Sequence, residues 1–122
     1  MVALAVVLGG GLGALARYWL EGLIAPRQGT PFPLSTLVVN VSGSILFGAL
    51  AGMATKGDVS RSVLLWAGVG WLGGYTTFST FTYETVKLIE DGAWRYAAWN
   101  LVLSGPLSFA GAGVAYLLAR WA

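Results

Sequence analysis

Residues 73–81 read Gly73-Gly-Tyr-Thr-Thr-Phe-Ser-Thr-Phe81, a helix-hostile, hydroxyl-rich stretch inside an otherwise nearly continuous hydrocarbon sequence. Gly73 and Gly74 carry little helix propensity, and the β-branched Thr76 and Thr77 add to the weakness, so a break near Gly73–Thr77 is expected. In lipid every backbone N–H and C=O must be paired internally. Irregular backbone at membrane depth therefore survives only where it is buried in protein or lines a site. This stretch is the first place to look for function.

Its surroundings put it in a bilayer. Of 122 residues, 57% are hydrophobic and 10% charged, with a mean hydropathy of +0.73, whereas soluble domains carry about 25% charged residues. Polar or turn-forming clusters at 25–33, 55–60 and 90–92 leave four apolar segments, about 2–24, 33–54, 61–87 and 94–121. Each approaches the ~20 residues a helix needs to cross a ~30 Å hydrocarbon core. The expected fold is an all-α membrane protein, a single transmembrane domain over 1–122 with four helices, the third broken. Ala14-Leu15-Ala16 looks like a signal-peptide cleavage site, but no basic residue precedes the apolar run, so the first segment is expected to stay as a span.

The chain has no cysteine and no histidine, which removes disulfides, thiol nucleophiles, zinc clusters and the commonest general base. It is not expected to be an enzyme. Its seven basic residues are scattered, without the clustered basic face of a nucleic-acid binder. Gly9-Gly-Gly-Leu-Gly-Ala14 matches a dinucleotide-binding turn in spacing alone. The βαβ context and the acidic residue about 20 positions further on are missing, so no nucleotide is expected. Gly9 and Gly13, and likewise Ser44, Gly48 and Gly52, have instead the four-residue spacing of close-packed membrane helices.

Lysine and arginine near helix ends decide orientation. Lys56, Arg61 and Arg120 fall on one side and Arg27, Lys87 and Arg95 on the other, with Arg17 inside the first span. Three against three leaves almost no bias, so the chain is expected to insert both ways and to pair as an antiparallel, dual-topology homodimer. Four helices leave no room for a long aqueous path, and such pairing would recreate the inverted-repeat symmetry of transport proteins.

Several residues carry candidate chemistry. Arg17, with Glu21 one turn later, is either an i, i+4 ion pair or an anion-concentrating charge at a pore mouth. Asn40, among Val38, Val39 and Val41, needs a partner for its amide, whose N–H groups could serve a neighbouring helix or a permeating anion. Asn100, Ser104 and Ser108 form one polar stripe on the fourth span. A helix break frees carbonyl oxygens, good ligands for a small hard cation such as sodium. Phe78 and Phe81 share a face beyond it, and their positive ring edges could stabilise a small anion. Glu84 continues the face of Thr77 and Thr80.

These segments resemble the small fluoride channels called Fluc or CrcB. The likeness spans the chain through Gly9-Gly-Gly-Leu-Gly-Ala-Leu-Ala-Arg-Tyr18, Ser35-Thr-Leu-Val-Val-Asn-Val-Ser-Gly-Ser44 and Gly70-Trp-Leu-Gly-Gly-Tyr-Thr-Thr-Phe-Ser-Thr-Phe81. The resemblance implies passive fluoride export across the inner (plasma) membrane by an antiparallel homodimer with a central structural sodium ion. It implies sodium ligation by the carbonyls of Gly73 and Thr76. It further implies a fluoride pathway built from Asn40, Thr77, Phe78, Phe81, Asn100, Ser104 and Ser108, with Arg17 as a vestibule arginine. Asn100 stands where some members carry tyrosine. The rival reading is a small multidrug transporter, which needs a membrane-embedded carboxylate; the first span offers only Glu21, near its end. A non-transporting assembly subunit would leave the polar stripe and the broken helix unexplained.

Overall fold

Helix α1 (Val2–Ile24) ends in a short 3-10 turn, Ala25–Arg27, where Arg27 caps the last carbonyls by donating to Leu23 O. The computed structural model describes all residues, 1–122, and every element in it is helical. Pro33 precedes α2 (Leu34–Lys56), which runs two residues beyond the expected end. Gly57, at φ 90°, closes α2, and Asp58 N–H bonds Met53 O at 3.0 Å. That left-handed conformation is one that glycine adopts without strain.

The third segment is two helices. The first, α3, spans 61–75: an α-turn Arg61–Val63, a π-helical stretch Leu64–Leu72 and a last α-turn Gly73–Tyr75. Ser60 Oγ caps its start by accepting from Val63 N–H at 3.3 Å. The second, α4, is Ser79–Glu90. Gly92, at φ 77°, then turns the chain into α5 (Trp94–Trp121), which continues through Pro106.

The break falls at the C-terminal end of the expected stretch. Gly73 and Gly74 remain helical, and the chain leaves the helix at Thr76, where ψ reaches 157°. Gly74 is needed for a different reason: a methyl group there would overlap the Gly10 carbonyl of α1, whereas one at Gly73 would meet nothing. Close approach, not weak propensity, accounts for that glycine.

Two helix pairs make the bundle, α1 against α3 and α2 against α5. Both are seated on the expected small residues. A Cβ on Gly9 would meet the Trp66 carbonyl and one on Gly13 the Trp71 carbonyl; Gly48 and Gly52 lie equally close to Ala112 and Tyr116. Such spacing lets backbones approach where lipid supplies no hydrophobic drive between helices. Val39, Leu72 and Tyr75 form the small apolar core, with Tyr75 stacked on Trp71 at 5.2 Å.

Leucine, valine, phenylalanine and tryptophan side chains cover the outside of the bundle. Three helical stretches, Val2–Arg27, Leu34–Lys56 and Trp94–Trp121, are long and apolar enough to cross a membrane. The chain is a membrane protein.

Candidate ion pathway

The break is shaped by a side chain from another helix. Asn40 of α2 makes two hydrogen bonds to the backbone of Thr77: Asn40 Nδ2 donates to Thr77 O at 2.7 Å, and Thr77 N–H donates to Asn40 Oδ1 at 2.7 Å. The amide thus replaces both partners the backbone lost by leaving the helix. Thr77 then serves the first turn of α4 from just before it. Its Oγ1 accepts from Thr80 N–H at 3.1 Å and donates to Thr80 Oγ1 at 3.1 Å. The other N–H groups of the first turn of α4 have no intrahelical acceptor.

These bonds leave two carbonyls without their helical donors. In an unbroken helix Gly73 O would accept from Thr77 N–H, and Thr76 O from Thr80 N–H. Asn40 Oδ1 takes the first donor and Thr77 Oγ1 the second. The bent chain is pinned from the α2 side again at Ser42, whose Oγ lies 2.9 Å from Tyr75 OH.

A cavity of about 390 Å³ opens beside the break. Asn40, Thr77, Phe78, Phe81, Ser104 and Ser108 all line it, so six of the expected pathway residues meet there from three helices. The Phe78 and Phe81 rings lie 6.0 Å apart at 43°. Only one N–H of Asn40 is used by Thr77, and the second is free. A second cavity, of about 570 Å³, shares Ser44, Thr76 and Ser108 with the first and reaches Gly73. Phe78 is 79% exposed, so a single chain encloses its ring poorly.

Two expected residues lie elsewhere. Asn100 is fully buried and sits behind the cavity wall. Its Nδ2 donates to Thr85 Oγ1 at 2.8 Å, its Oδ1 accepts from Ser104 Oγ at 3.0 Å, and Thr85 Oγ1 donates to Phe81 O at 2.8 Å. The polar stripe of α5 therefore continues into a strut that holds the Phe81 backbone. Thr85→Val, which removes only the hydroxyl, is expected to lower the melting temperature by several degrees, at about 1–3 kcal/mol for an orphaned buried amide. Arg17 does not line the cavity and makes no ion pair with Glu21; the only ion pairs are Lys56–Asp58 and Lys87–Asp91.

Sequence reasoning passed over Ser42, Tyr75 and Thr85. Thr85 was signalled by its place one turn beyond Phe81, and Ser42 by its place two residues beyond Asn40. Neither spacing says which helix the hydroxyl faces.

A sequence model of the family described as "CrcB-like protein, Camphor Resistance (CrcB)" matches residues 4–116. The chain belongs to the CrcB family. Among curated proteins, this CrcB chain is 43% identical over 116 residues to "Fluoride-specific ion channel FluC 1" of Nocardia farcinica, covering 95% of this chain and 79% of that one. It is 42% identical over 123 residues to "Fluoride-specific ion channel FluC" of Coxiella burnetii, covering 98% of each. A third relative, "Fluoride-specific ion channel FluC 2" of Mycolicibacterium paratuberculosis, is 44% identical over 115 residues, 94% of this chain and 91% of that one. CrcB relatives are named as ion channels, not enzymes, and this CrcB chain has the membrane helices such a role requires.

Proposed function

We propose that this protein is a fluoride-selective channel that exports fluoride passively across the inner (plasma) membrane and so lowers cytoplasmic fluoride. The carrying observation is the cavity at the break, where a free amide N–H, the hydroxyls of Ser104 and Ser108 and two phenylalanine rings meet without a charged side chain. Fluoride is small and strongly hydrated, so a selective path must replace its water with donors. Asn40 Nδ2, the Ser108 hydroxyl and the positive edges of Phe78 and Phe81 supply them, while the Ser104 proton is held by Asn100 Oδ1. A fixed cationic side chain would hold the ion too long to conduct, since conduction needs binding weak enough to allow exit. The relatives' names point the same way.

The conducting unit in this reading is an antiparallel, dual-topology homodimer in which α3 and α4 together form the third of four crossings. Its support is the balanced charge along the chain and the exposure of Phe78 at mid-span. The carbonyls of Gly73 and Thr76, deprived of their helical donors, fit a small hard cation, and a structural sodium ion held by them would supply positive charge without a titratable group. Asn100 then serves the track from behind, and Arg17 acts at the mouth through its field rather than by contact.

Liposomes carrying the purified protein and loaded with potassium fluoride or chloride test the reading, with ion-selective electrodes recording efflux. Rapid fluoride efflux and almost no chloride efflux are expected. Equal rates, or efflux that needs a proton gradient, would overturn it. Phe81→Ile, which keeps an apolar side chain but removes the ring edge, is expected to slow fluoride efflux by at least about tenfold, as the loss of about 1.4 kcal/mol of ion stabilisation would give. Undiminished flux would take Phe81 out of the pathway.

A further inference from the structure

Asn100 of α5 is fully buried, so nothing that crosses the pathway cavity can touch it. Its amide instead joins two hydroxyls. Ser104, which lines the cavity, donates its proton to Asn100 Oδ1 at 3.0 Å, and Asn100 Nδ2 donates to Thr85 Oγ1 at 2.8 Å. Thr85 Oγ1 in turn donates to Phe81 O at 2.8 Å. All three bonds therefore run away from the cavity, and Ser104 offers it lone pairs and no proton, the wrong polarity for an anion.

Nothing in this relay fixes its direction. A hydroxyl donates or accepts with the same oxygen, and an amide exchanges its donor and acceptor ends by a half-turn. Reversed, Thr85 donates to Asn100 Oδ1, Asn100 Nδ2 donates to Ser104 Oγ, and the Ser104 proton turns to the cavity. With an anion beside Ser104, each direction makes three bonds, and the two differ in the last acceptor. In the first it is Phe81 O, which as part of helix α4 keeps a backbone donor, Thr85 N–H, without the hydroxyl. In the second it is the anion, and a hydrogen bond to an ion is about twice as strong as one between neutral groups. Without an anion the reversed direction leaves the Ser104 proton unpaired, so the observed direction holds.

We propose that Asn100 is a positioning residue whose amide turns over as an anion arrives and hands the Ser104 proton to it. This role rests on the fluoride reading and adds a moving part to it. Asn100 touches no ion; it decides which way Ser104 points its proton. The relay also couples the cavity to α4, since Thr85 releases Phe81 O as Ser104 turns outward.

The chain has two asparagines, Asn40 and Asn100, so the whole protein in nanodiscs, isotope-labelled at asparagine nitrogen alone, shows two side-chain amide signals by NMR. Asn100→Leu, which loses one signal, or Thr85→Ser, which shifts that of its neighbour, assigns them. Potassium fluoride then replaces potassium chloride at constant ionic strength. In wild type both signals are expected to move with the same fluoride dependence, Asn40 because its free N–H faces the cavity and Asn100 because its Nδ2 changes acceptor. In Ser104→Ala the Asn40 signal should still move and the Asn100 shift should be lost; Ser104→Thr, which keeps a hydroxyl, should restore it. Should Ser104→Ala fail to fold, Ser104→Cys, a much weaker donor, takes its place. A wild-type Asn100 signal that stays still while Asn40 moves overturns the relay and leaves the fluoride reading standing. An Asn100 shift that persists in Ser104→Ala overturns it too, since the change then reaches Asn100 by another route. If neither signal moves, the fluoride reading fails and the relay with it.

Discussion

Asn40→Ala is expected to abolish fluoride efflux and to lower the yield of folded protein. The substitution removes both hydrogen bonds to Thr77. At about 1.5 kcal/mol per bond to a partly buried group, the loss is about 3 kcal/mol, a large share of the stability of a small domain. The damage reaches further than the energy. With Oδ1 gone, Thr77 N–H can return to Gly73 O, the break can close into continuous helix, and the cavity loses its shape together with its amide donor. Asn40→Asp separates the two roles. It keeps an acceptor for Thr77 N–H but sets a carboxylate oxygen against Thr77 O where a donor stood, and it adds negative charge beside an anion path. Both variants should fail in liposome efflux, with Asn40→Asp losing the larger fraction of folded protein on size exclusion. Wild-type flux from Asn40→Ala would show that Thr77 holds its conformation without α2.

Gly13→Ala is expected to be the most damaging single methyl group in the chain. An ideal Cβ there would overlap the Trp71 carbonyl and press on the Tyr75 N–H, all rigid backbone. Relief requires α1 and α3 to separate, which also loosens the close approach of Gly74 to Gly10. Overpacking of this kind costs about 3 kcal/mol or more. Gly48→Ala should behave alike, because its Cβ would overlap the Ala112 carbonyl of α5. Gly11→Ala and Gly113→Ala are the controls: a Cβ at either site meets nothing within 4 Å, and alanine favours helix over glycine by about 1 kcal/mol. Thermal unfolding in detergent should place the two pairs on opposite sides of wild type. Equal stability of Gly13→Ala and Gly11→Ala would refute the packing role.

Much of this was legible before any coordinate. The long apolar helices follow from hydropathy and length, and the glycine faces from four-residue spacing. The residues alone offered a polar side chain at Asn40, a polar stripe through Ser104 and Ser108, and a shared face for Phe78 and Phe81; that these belong together was implied by the family resemblance. The place of the break within the expected stretch is instructive. Weak propensity runs from Gly73 to Thr77, but Gly73 and Gly74 stay helical, Gly74 close against α1, while the bend falls on Thr76, where α2 offers a substitute partner to the next residue. Propensity is a property of one segment, and the bend is a property of two. The same holds for Asn100, whose spacing placed it on the stripe without revealing that its amide reaches Thr85. The π-helical turns of Leu64–Leu72 had no signal in composition, since nothing in a run of leucine, tryptophan and glycine separates them from ordinary α-helix.

The bond pair between Asn40 and Thr77 also orders events in time. Chains leave the ribosome from the N-terminus, so α2 is made before the segment it latches. When residues 61–90 follow, they meet a helix already displaying the amide that will hold Thr77. Alone, that segment has no such partner, and continuous helix is the conformation that best satisfies its backbone in lipid. The site is therefore made by docking, in the order in which the chain is born.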